Sequence, residues 1–145
     1  MSERRSIEDD IKEIVAAAQP IEAIKRAQYS AIYYLLRDKR IVYIGKTCNP
    51  ESRIVSHVAN GDKSFDSFLV MPCPLEELDT HEASEILKYQ PEYNTTLPSN
   101  PIWKTIAALK KLLGMDAYQV KRYIREQGIR AISMGGNTYY DIRAF

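Results

Sequence analysis

The feature that most constrains the fold is a pair of short apolar segments, residues 31–36 and 41–45, separated by the charged residues 37–40. Both segments are rich in β-branched and aromatic residues, and two such segments joined by a short polar break are typical of a β-hairpin. Tyr33 lies in one predicted strand, Tyr43 lies in the other, and Lys46 follows directly. A hairpin that only filled a core would not need these phenols, so the stretch indicates a functional site.

The 145-residue chain has a formal net charge of +1 that is unevenly distributed. Residues 100–145 contain eight Lys and Arg against three Asp and Glu, a net charge of +5, which leaves −4 for the rest of the chain. A basic end on an otherwise acidic chain favours a module that binds nucleic acid. Charge alone is equally consistent with a solvated basic surface.

The two cysteines, Cys48 and Cys73, have neither CxxC spacing nor the Cys/His spacing of a zinc site. We therefore expect free thiols in a reducing compartment. The N-terminus is highly charged, which does not fit a signal peptide, and no apolar segment is long enough to span a bilayer. These features predict a cytoplasmic protein that does not associate with membranes.

Two helical segments flank the predicted hairpin. Residues 1–29 have an amphipathic helical pattern that Pro20 interrupts, with a second short helix expected over residues 21–27. After the hairpin, Asn49 and the proline that follows it predict a helix start, and Gly61 predicts its end. Arg53 and His57 lie four residues apart on that helix and share a face. Taken singly, each would be an ordinary surface residue.

A third strand is predicted over residues 65–71, followed by a helix over residues 75–89 that ends before Pro91. The apolar stripe of this helix is interrupted by Glu82. Burial of an unpaired carboxylate is unfavourable, so Glu82 either faces a cleft and binds a cation or reaches solvent at the edge of the stripe. Glu85, one turn further, is a second possible ligand that we expect to be exposed.

Taken together, these residues resemble the GIY-YIG endonuclease family over about residues 30–97. The two family motifs correspond to residues 31–33 and 43–45, and the closing Pro-x-Tyr-Asn pattern to residues 91–94. Ala31 stands where the family usually has Gly. Apart from the glycine and isoleucine of the two motifs, the residues that match the functional positions of the family are Tyr33, Tyr43, Lys46, Arg53, His57, Glu82 and Asn94.

The resemblance implies an α+β fold with a small three-stranded antiparallel sheet flanked by helices. It also implies a Mg²⁺-dependent or Mn²⁺-dependent nuclease with a single metal, which Glu82 would hold. Arg53 would contact the phosphate, and Tyr33 would act as general base. A free phenol has a pKa near 10, but nearby cations favour the phenolate, and Lys46 is one candidate.

The remaining residues have supporting roles in this interpretation. Tyr43 and His57 would orient the attacking water or relay its proton. Asn94 would tie the exit loop to the site by hydrogen bonds.

Residues 99–145 form a second predicted module. Helices are expected over residues 102–113, with Asn100 as N-cap, and over residues 117–127, followed by a β-hairpin over residues 129–142. The pattern is similar to a winged or excisionase-type helix-turn-helix. Its alternative role is a helical cap that only packs on the nuclease. The side chains expected to face DNA are Tyr118, Gln119, Lys121, Arg122 and Arg125.

The chain is thus predicted to consist of an N-terminal extension (1–29), a nuclease domain (30–98) and a helix-turn-helix domain with a β-hairpin wing (99–145). The favoured function is a Mg²⁺-dependent endonuclease that cleaves double-stranded DNA. One alternative is a catalytically weak or inactive DNA-binding or regulatory protein on a nuclease fold, for which Ala31 is the sequence hint. Another is a nuclease selective for branched DNA. A single site per chain implies that a double-strand break would need a homodimer or sequential nicks.

Overall fold

The computed structural model describes residues 6–21 and 29–145. In these ranges the chain is α+β, as predicted, with five α-helices and two antiparallel sheets. It forms two compact units, Met1–Asn94 and Thr95–Phe145, which are described separately. The predicted domain boundaries at residues 29/30 and 98/99 stay predictions. No described helix has the length and apolarity to cross a membrane.

The N-terminal segment is not entirely helical, contrary to the prediction. Helix α1 spans Ile7–Ala17, and the Ser6 hydroxyl caps it by accepting from the Asp9 backbone N–H at 3.1 Å. A two-residue strand follows, β1 Gln19–Pro20, which pairs with a later strand of the sheet. Proline has no N–H to donate, so it is suited to an edge strand. The second predicted helix, over residues 21–27, lies almost entirely outside the described residues.

The sheet of the first unit has the strand order β1, β4, β2, β3, with β2 Ala31–Arg37, β3 Arg40–Thr47 and β4 Ser67–Pro72. The predicted three-stranded sheet therefore has a fourth, edge strand, because β1 pairs with β4. Strand β2 lies between β3 and β4, and its residues 31–36 are all buried. Burial of both faces of a strand explains why this segment is apolar without alternation.

The predicted hairpin is formed by β2 and β3. Its turn residues, Asp38 and Lys39, have φ angles of 50° and 63°. Two consecutive residues of positive φ are characteristic of the type I′ turn, whose twist matches that of the flanking strands. The resulting register places Tyr33 directly opposite Gly45.

Two helices complete the first unit. Helix α2, Pro50–Asn60, has the predicted bounds; the Asn49 side chain caps its start and Gly61, at φ 65°, ends it. Helix α3 spans Leu78–Tyr89 and is preceded by a 3₁₀ turn, Leu75–Glu77, where the prediction had α-helix. Helix α3 packs on β2 and β3.

The second unit contains a strand that the sequence did not predict. Strand β5, Trp103–Lys104, pairs with the last strand, so helix α4 spans Ile106–Leu113 and does not begin at residue 102. The predicted cap, Asn100, instead accepts from the backbone N–H groups of Ile102 at 3.0 Å and Trp103 at 2.6 Å. The Thr105 hydroxyl caps α4.

Helix α5, Ala117–Gln127, follows a short turn after α4. The predicted hairpin is β6 Ala131–Met134 and β7 Asn137–Asp141, which complete a three-stranded sheet in the order β5, β7, β6. A separate core lies under these helices, with Leu109, Val120 and Tyr140 buried at its centre.

Candidate active site

Two phenols from the hairpin form the centre of the site. Tyr33 is 2% exposed and Tyr43 is half-buried, and their ring centroids are 6.0 Å apart. Tyr33 lies over the backbone of Gly45, since a Cβ atom built on Gly45 would be 2.4 Å from the phenol oxygen. The absence of a side chain at residue 45 therefore makes the space that the Tyr33 phenol occupies.

Helix α2 brings His57 against both phenols. Its Nε2 atom lies 2.9 Å from the Tyr33 hydroxyl, and its ring centroid lies 5.7 Å from that of Tyr33 and 5.3 Å from that of Tyr43. His57 is buried, with 8% of its surface exposed, so it is not an ordinary surface histidine. Burial lowers the pKa of His57, and the positive charge of Lys63 lowers it further. The imidazole is consequently neutral at pH 7.

The phenolate of Tyr33 is not favoured here, contrary to the expectation from nearby cations. Burial raises the pKa of Tyr33 well above its ordinary value, and Tyr43 raises it further. Arg53 opposes this effect, but the burial effect is larger. A protonated phenol and a neutral imidazole thus share the 2.9 Å hydrogen bond.

Helix α3 supplies a buried carboxylate, Glu82, which is 6% exposed. Its Oε1 atom has no hydrogen-bond partner in the described part of the chain, and the Nζ atom of Lys46 lies 4.0 Å away. Lys46 also forms an ion pair with Asp79. Burial raises the pKa of Glu82, whereas the charge and the backbone N–H of Lys46 lower it. Because only 6% of Glu82 is exposed, the alternative in which its carboxylate reaches solvent is wrong.

The donor set around Glu82 fits one divalent cation of the Mg²⁺ type. Mg²⁺ binds through one or two carboxylates and completes its shell with water and substrate phosphate oxygens. An unpartnered buried carboxylate oxygen satisfies that requirement. Residues 6–21 and 29–145 contain no cluster of three or more His, Cys, Asp or Glu that could enclose a metal entirely.

Arg53 lies on α2 one turn before His57 and is exposed. It lines a small polar recess of about 210 Å³ together with Thr47, Asn49, Ser52 and Ser56. Its charge lowers the pKa of both Tyr33 and Glu82. The guanidinium is thus near enough to the phenol and the carboxylate to affect their protonation, while its donors remain accessible.

Asn94 acts as a backbone partner for the free edge of β3. Its side-chain oxygen accepts from the Ile44 N–H at 2.8 Å, and its side-chain nitrogen donates to the Ile44 carbonyl at 2.9 Å. The preceding residue, Tyr93, donates its backbone N–H to the Val42 carbonyl at 3.0 Å. These bonds fix the segment after α3 beside the strand that carries Tyr43.

The expectation for Glu85 needs revision, and one residue near the site was not anticipated. Glu85 belongs to a different group of side chains, since it pairs with His81 at 3.4 Å and raises the pKa of Tyr34. It is half-buried and not exposed. Sequence reasoning also missed Lys63, whose ammonium lies 4.7 Å from the Tyr43 ring centroid. It lies in an irregular loop, where no periodicity could have indicated it.

The candidate DNA-contacting residues of the second unit lie on α5, and all five are exposed. The side chain of Gln119 already has a hydrogen-bond partner, because its oxygen accepts from the Asp116 N–H in a capping box. Arg122 pairs with Glu126 at 2.8 Å. Tyr118, Lys121 and Arg125 are exposed alongside them.

Comparison with known protein families gives no match, and comparison with curated proteins gives none either. Among solved structures, the chain is similar to the GIY-YIG N-terminal endonuclease domain of UvrC from Thermotoga maritima, bound to its catalytic magnesium. The identity is 22% and the TM-score 0.41, and the match covers 59% of this chain and 97% of that domain. A likeness of this degree adds no weight to the function proposed below, which rests on the side-chain contacts.

Proposed function

We propose that the chain is a divalent-metal-dependent endonuclease that hydrolyses phosphodiester bonds in double-stranded DNA, with Mg²⁺ as the metal and Mn²⁺ as a substitute. The observation that carries this proposal is the buried 2.9 Å contact between Tyr33 and His57. Arg53 and Glu82, from two different helices, are near enough to alter the pKa of the same phenol. A proton-transfer pair, a phosphate-binding cation and a metal-binding carboxylate are the groups that this hydrolysis requires.

The proposed proton pathway runs from the attacking water through Tyr33 to His57. When the imidazole carries its proton on Nδ1, the Tyr33 hydroxyl donates to Nε2. The phenol can then take a proton from an attacking water while it passes its own to the imidazole. Its raised pKa makes an isolated phenolate unfavourable, so the neutral imidazole is what lets Tyr33 act as the base.

Arg53 and Glu82 supply the charges in this proposal. The exposed guanidinium of Arg53 offers a planar set of donors to the phosphate. Glu82 would hold the Mg²⁺, which when bound neutralises negative charge on the phosphate and leaving oxygen. Lys46, held by Asp79, keeps a positive charge beside the carboxylate.

The test is nicking of supercoiled plasmid in Mg²⁺. Glu82→Ala and Arg53→Ala should abolish nicking while DNA binding, measured by anisotropy, survives. Glu85→Gln and Arg40→Ala are matched controls, because Glu85 lies on the same helix away from the site and Arg40 is exposed beside the hairpin turn. Undiminished nicking in EDTA would refute the proposal.

The alternative of an inactive DNA-binding protein depends on Ala31. The residues of positive φ outside glycine in the described ranges are Asp38, Lys39 and Gln90. Ala31 therefore has a backbone conformation that does not require Gly. This observation favours an active site over a degenerate one.

The second unit is proposed to bind the DNA through α5. Tyr118, Lys121 and Arg125 are exposed on one helix, and exposed Lys and Arg contact phosphates in a salt-dependent manner. Replacement of Lys121 and Arg125 by Ala in the full chain should weaken DNA binding and reduce the salt slope by about 1 for each lost phosphate contact. Unchanged affinity and slope would instead favour a purely structural role for this unit.

A further inference from the structure

Lys63 occupies an unusual place for a loop lysine. It follows the end of α2, its side chain is only 17% exposed, and its Nζ atom lies 4.7 Å from the centroid of the Tyr43 ring. The adjacent Asp62 carboxylate accepts from the same ammonium at 2.9 Å. A cation over an aromatic face is attracted by the ring quadrupole, and more so when it is partly desolvated.

Among the described residues, the charges that alter the pKa of His57 are Lys63 and Arg53, which lower it, and Asp62, which raises it. The rings of Tyr33 on β2 and Tyr43 on β3 lie 5.7 and 5.3 Å from the imidazole between centroids. The Nδ1 atom has no hydrogen-bond partner in the described portion of the chain. Within the described residues, no carboxylate therefore stabilises an imidazolium through Nδ1, and the charges of Lys63 and Arg53 oppose its formation.

We propose that Lys63 is a positioning residue of the proposed proton relay: it holds the Tyr43 ring against His57 and adds to the effect of burial in keeping the imidazole neutral and able to accept the Tyr33 proton. The inference rests on the proposed function, but the effect of the Lys63 ammonium on the pKa of His57 can be measured whether or not the protein cleaves DNA. The adjacent Asp62 partly offsets the Lys63 charge, so the two residues act on His57 in opposite directions.

The first test is an NMR titration of His57 without DNA or metal, with His81, the second of two histidines, as internal reference. Lys63→Met should raise the pKa of His57, Asp62→Asn should lower it, and Lys63→Arg should leave it near the wild-type value. Lys39→Met, at the exposed hairpin turn, is the control for loss of a lysine elsewhere. Equal titration in Lys63→Met and the wild type, or shifts of one sign in both loop variants, would overturn the proposal.

The second test is the pH dependence of nicking. With the His57 titration moved upward, Lys63→Met should lose at least about twofold more activity than the wild type between pH 8 and pH 6. Lys63→Arg should restore the profile, because it keeps the charge and the contact with the ring. A profile unchanged by Lys63→Met overturns the relay role.

If the wild type does not nick DNA at all, the proposed function fails while the titration still decides the electrostatic claim. If Lys63→Met does not fold, Asp62→Asn and Lys63→Arg carry both tests.

Discussion

Substitution of Gly45 by Ala tests whether the Tyr33 phenol must lie where the structure has it. The added Cβ would be 2.4 Å from the phenol oxygen and 2.5 Å from the ring carbon that bears it, whereas ordinary contacts of a Cβ are 3.4–4 Å. The phenol must therefore move by about 1 Å or the strands must separate. The phenol is not free to move, because the Tyr43 and His57 rings lie 6.0 and 5.7 Å away between centroids.

The expected effect follows from this displacement. Forcing extra volume into a packed site costs about 1–3 kcal/mol in the free energy of unfolding. A 1 Å shift of a catalytic group reduces activity by roughly 10²-fold, and here it would also stretch the 2.9 Å bond to His57. The nicking rate should therefore fall by about two orders of magnitude in a protein that remains folded.

The assay compares urea unfolding and plasmid nicking for Gly45→Ala and the matched variant Gly61→Ala. Gly61 has φ of 65° with no atom within 4 Å of an added Cβ, so its replacement costs about 1 kcal/mol through backbone strain, and the added Cβ touches no side chain of the site. Gly61→Ala should nick at the wild-type rate. A folded Gly45→Ala protein that nicks as fast as the wild type would refute the role given to Tyr33.

Four further outcomes are expected. Asn94→Ala, measured by urea unfolding, should lose about 1–3 kcal/mol of stability because it leaves the N–H and carbonyl of Ile44 without partners; a neutral result would contradict the edge-strand role. Mg²⁺ at ten times its Kd should stabilise the wild type by about 1.4 kcal/mol in thermal unfolding but leave Glu82→Gln unchanged, and equal stabilisation of both would exclude Glu82 as ligand. The wild-type nicking rate should fall as pH drops through the pKa of His57, below its ordinary 6.5, because a protonated imidazole cannot accept; a rate independent of pH there would argue against the relay. Ala31→Gly should not raise nicking and should cost about 0.5–1 kcal/mol, so a large gain in activity would revive the inactive-fold alternative.

Local chemistry made part of the fold predictable. The bounds of α2 follow from Asn49, Pro50 and Gly61, which act within one turn of the helix ends. Strands β1 and β5 could not be predicted, because a two-residue strand has no periodicity and exists only through its partner in the sheet. The misplaced start of α4 has the same origin, since Trp103 is held by pairing with β7.

The candidate site also has a part that the sequence could predict and a part that depends on the fold. Tyr33, Arg53 and Glu82 could be identified from the sequence because together they match the pattern of a known family, but the register that places Tyr33 over Gly45 depends on the strand pairing. Gln119 illustrates the opposite case, because a residue expected to face DNA is used to cap its own helix.

The buried groups of the site share one electrostatic property. Burial is the largest influence on the pKa of Tyr33, His57 and Glu82, and in each case it favours the neutral form. The pKa of Glu82 is raised on folding. Its contribution to the free energy of unfolding is therefore complete below the ordinary carboxyl pKa and is lost as pH rises through the raised value. Once it is ionised, Glu82 therefore opposes folding, and a bound cation would relieve that opposition. The same burial strengthens the attraction between the Glu82 carboxylate and an incoming cation. A cation that binds there would therefore raise the free energy of unfolding, which couples metal binding to stability.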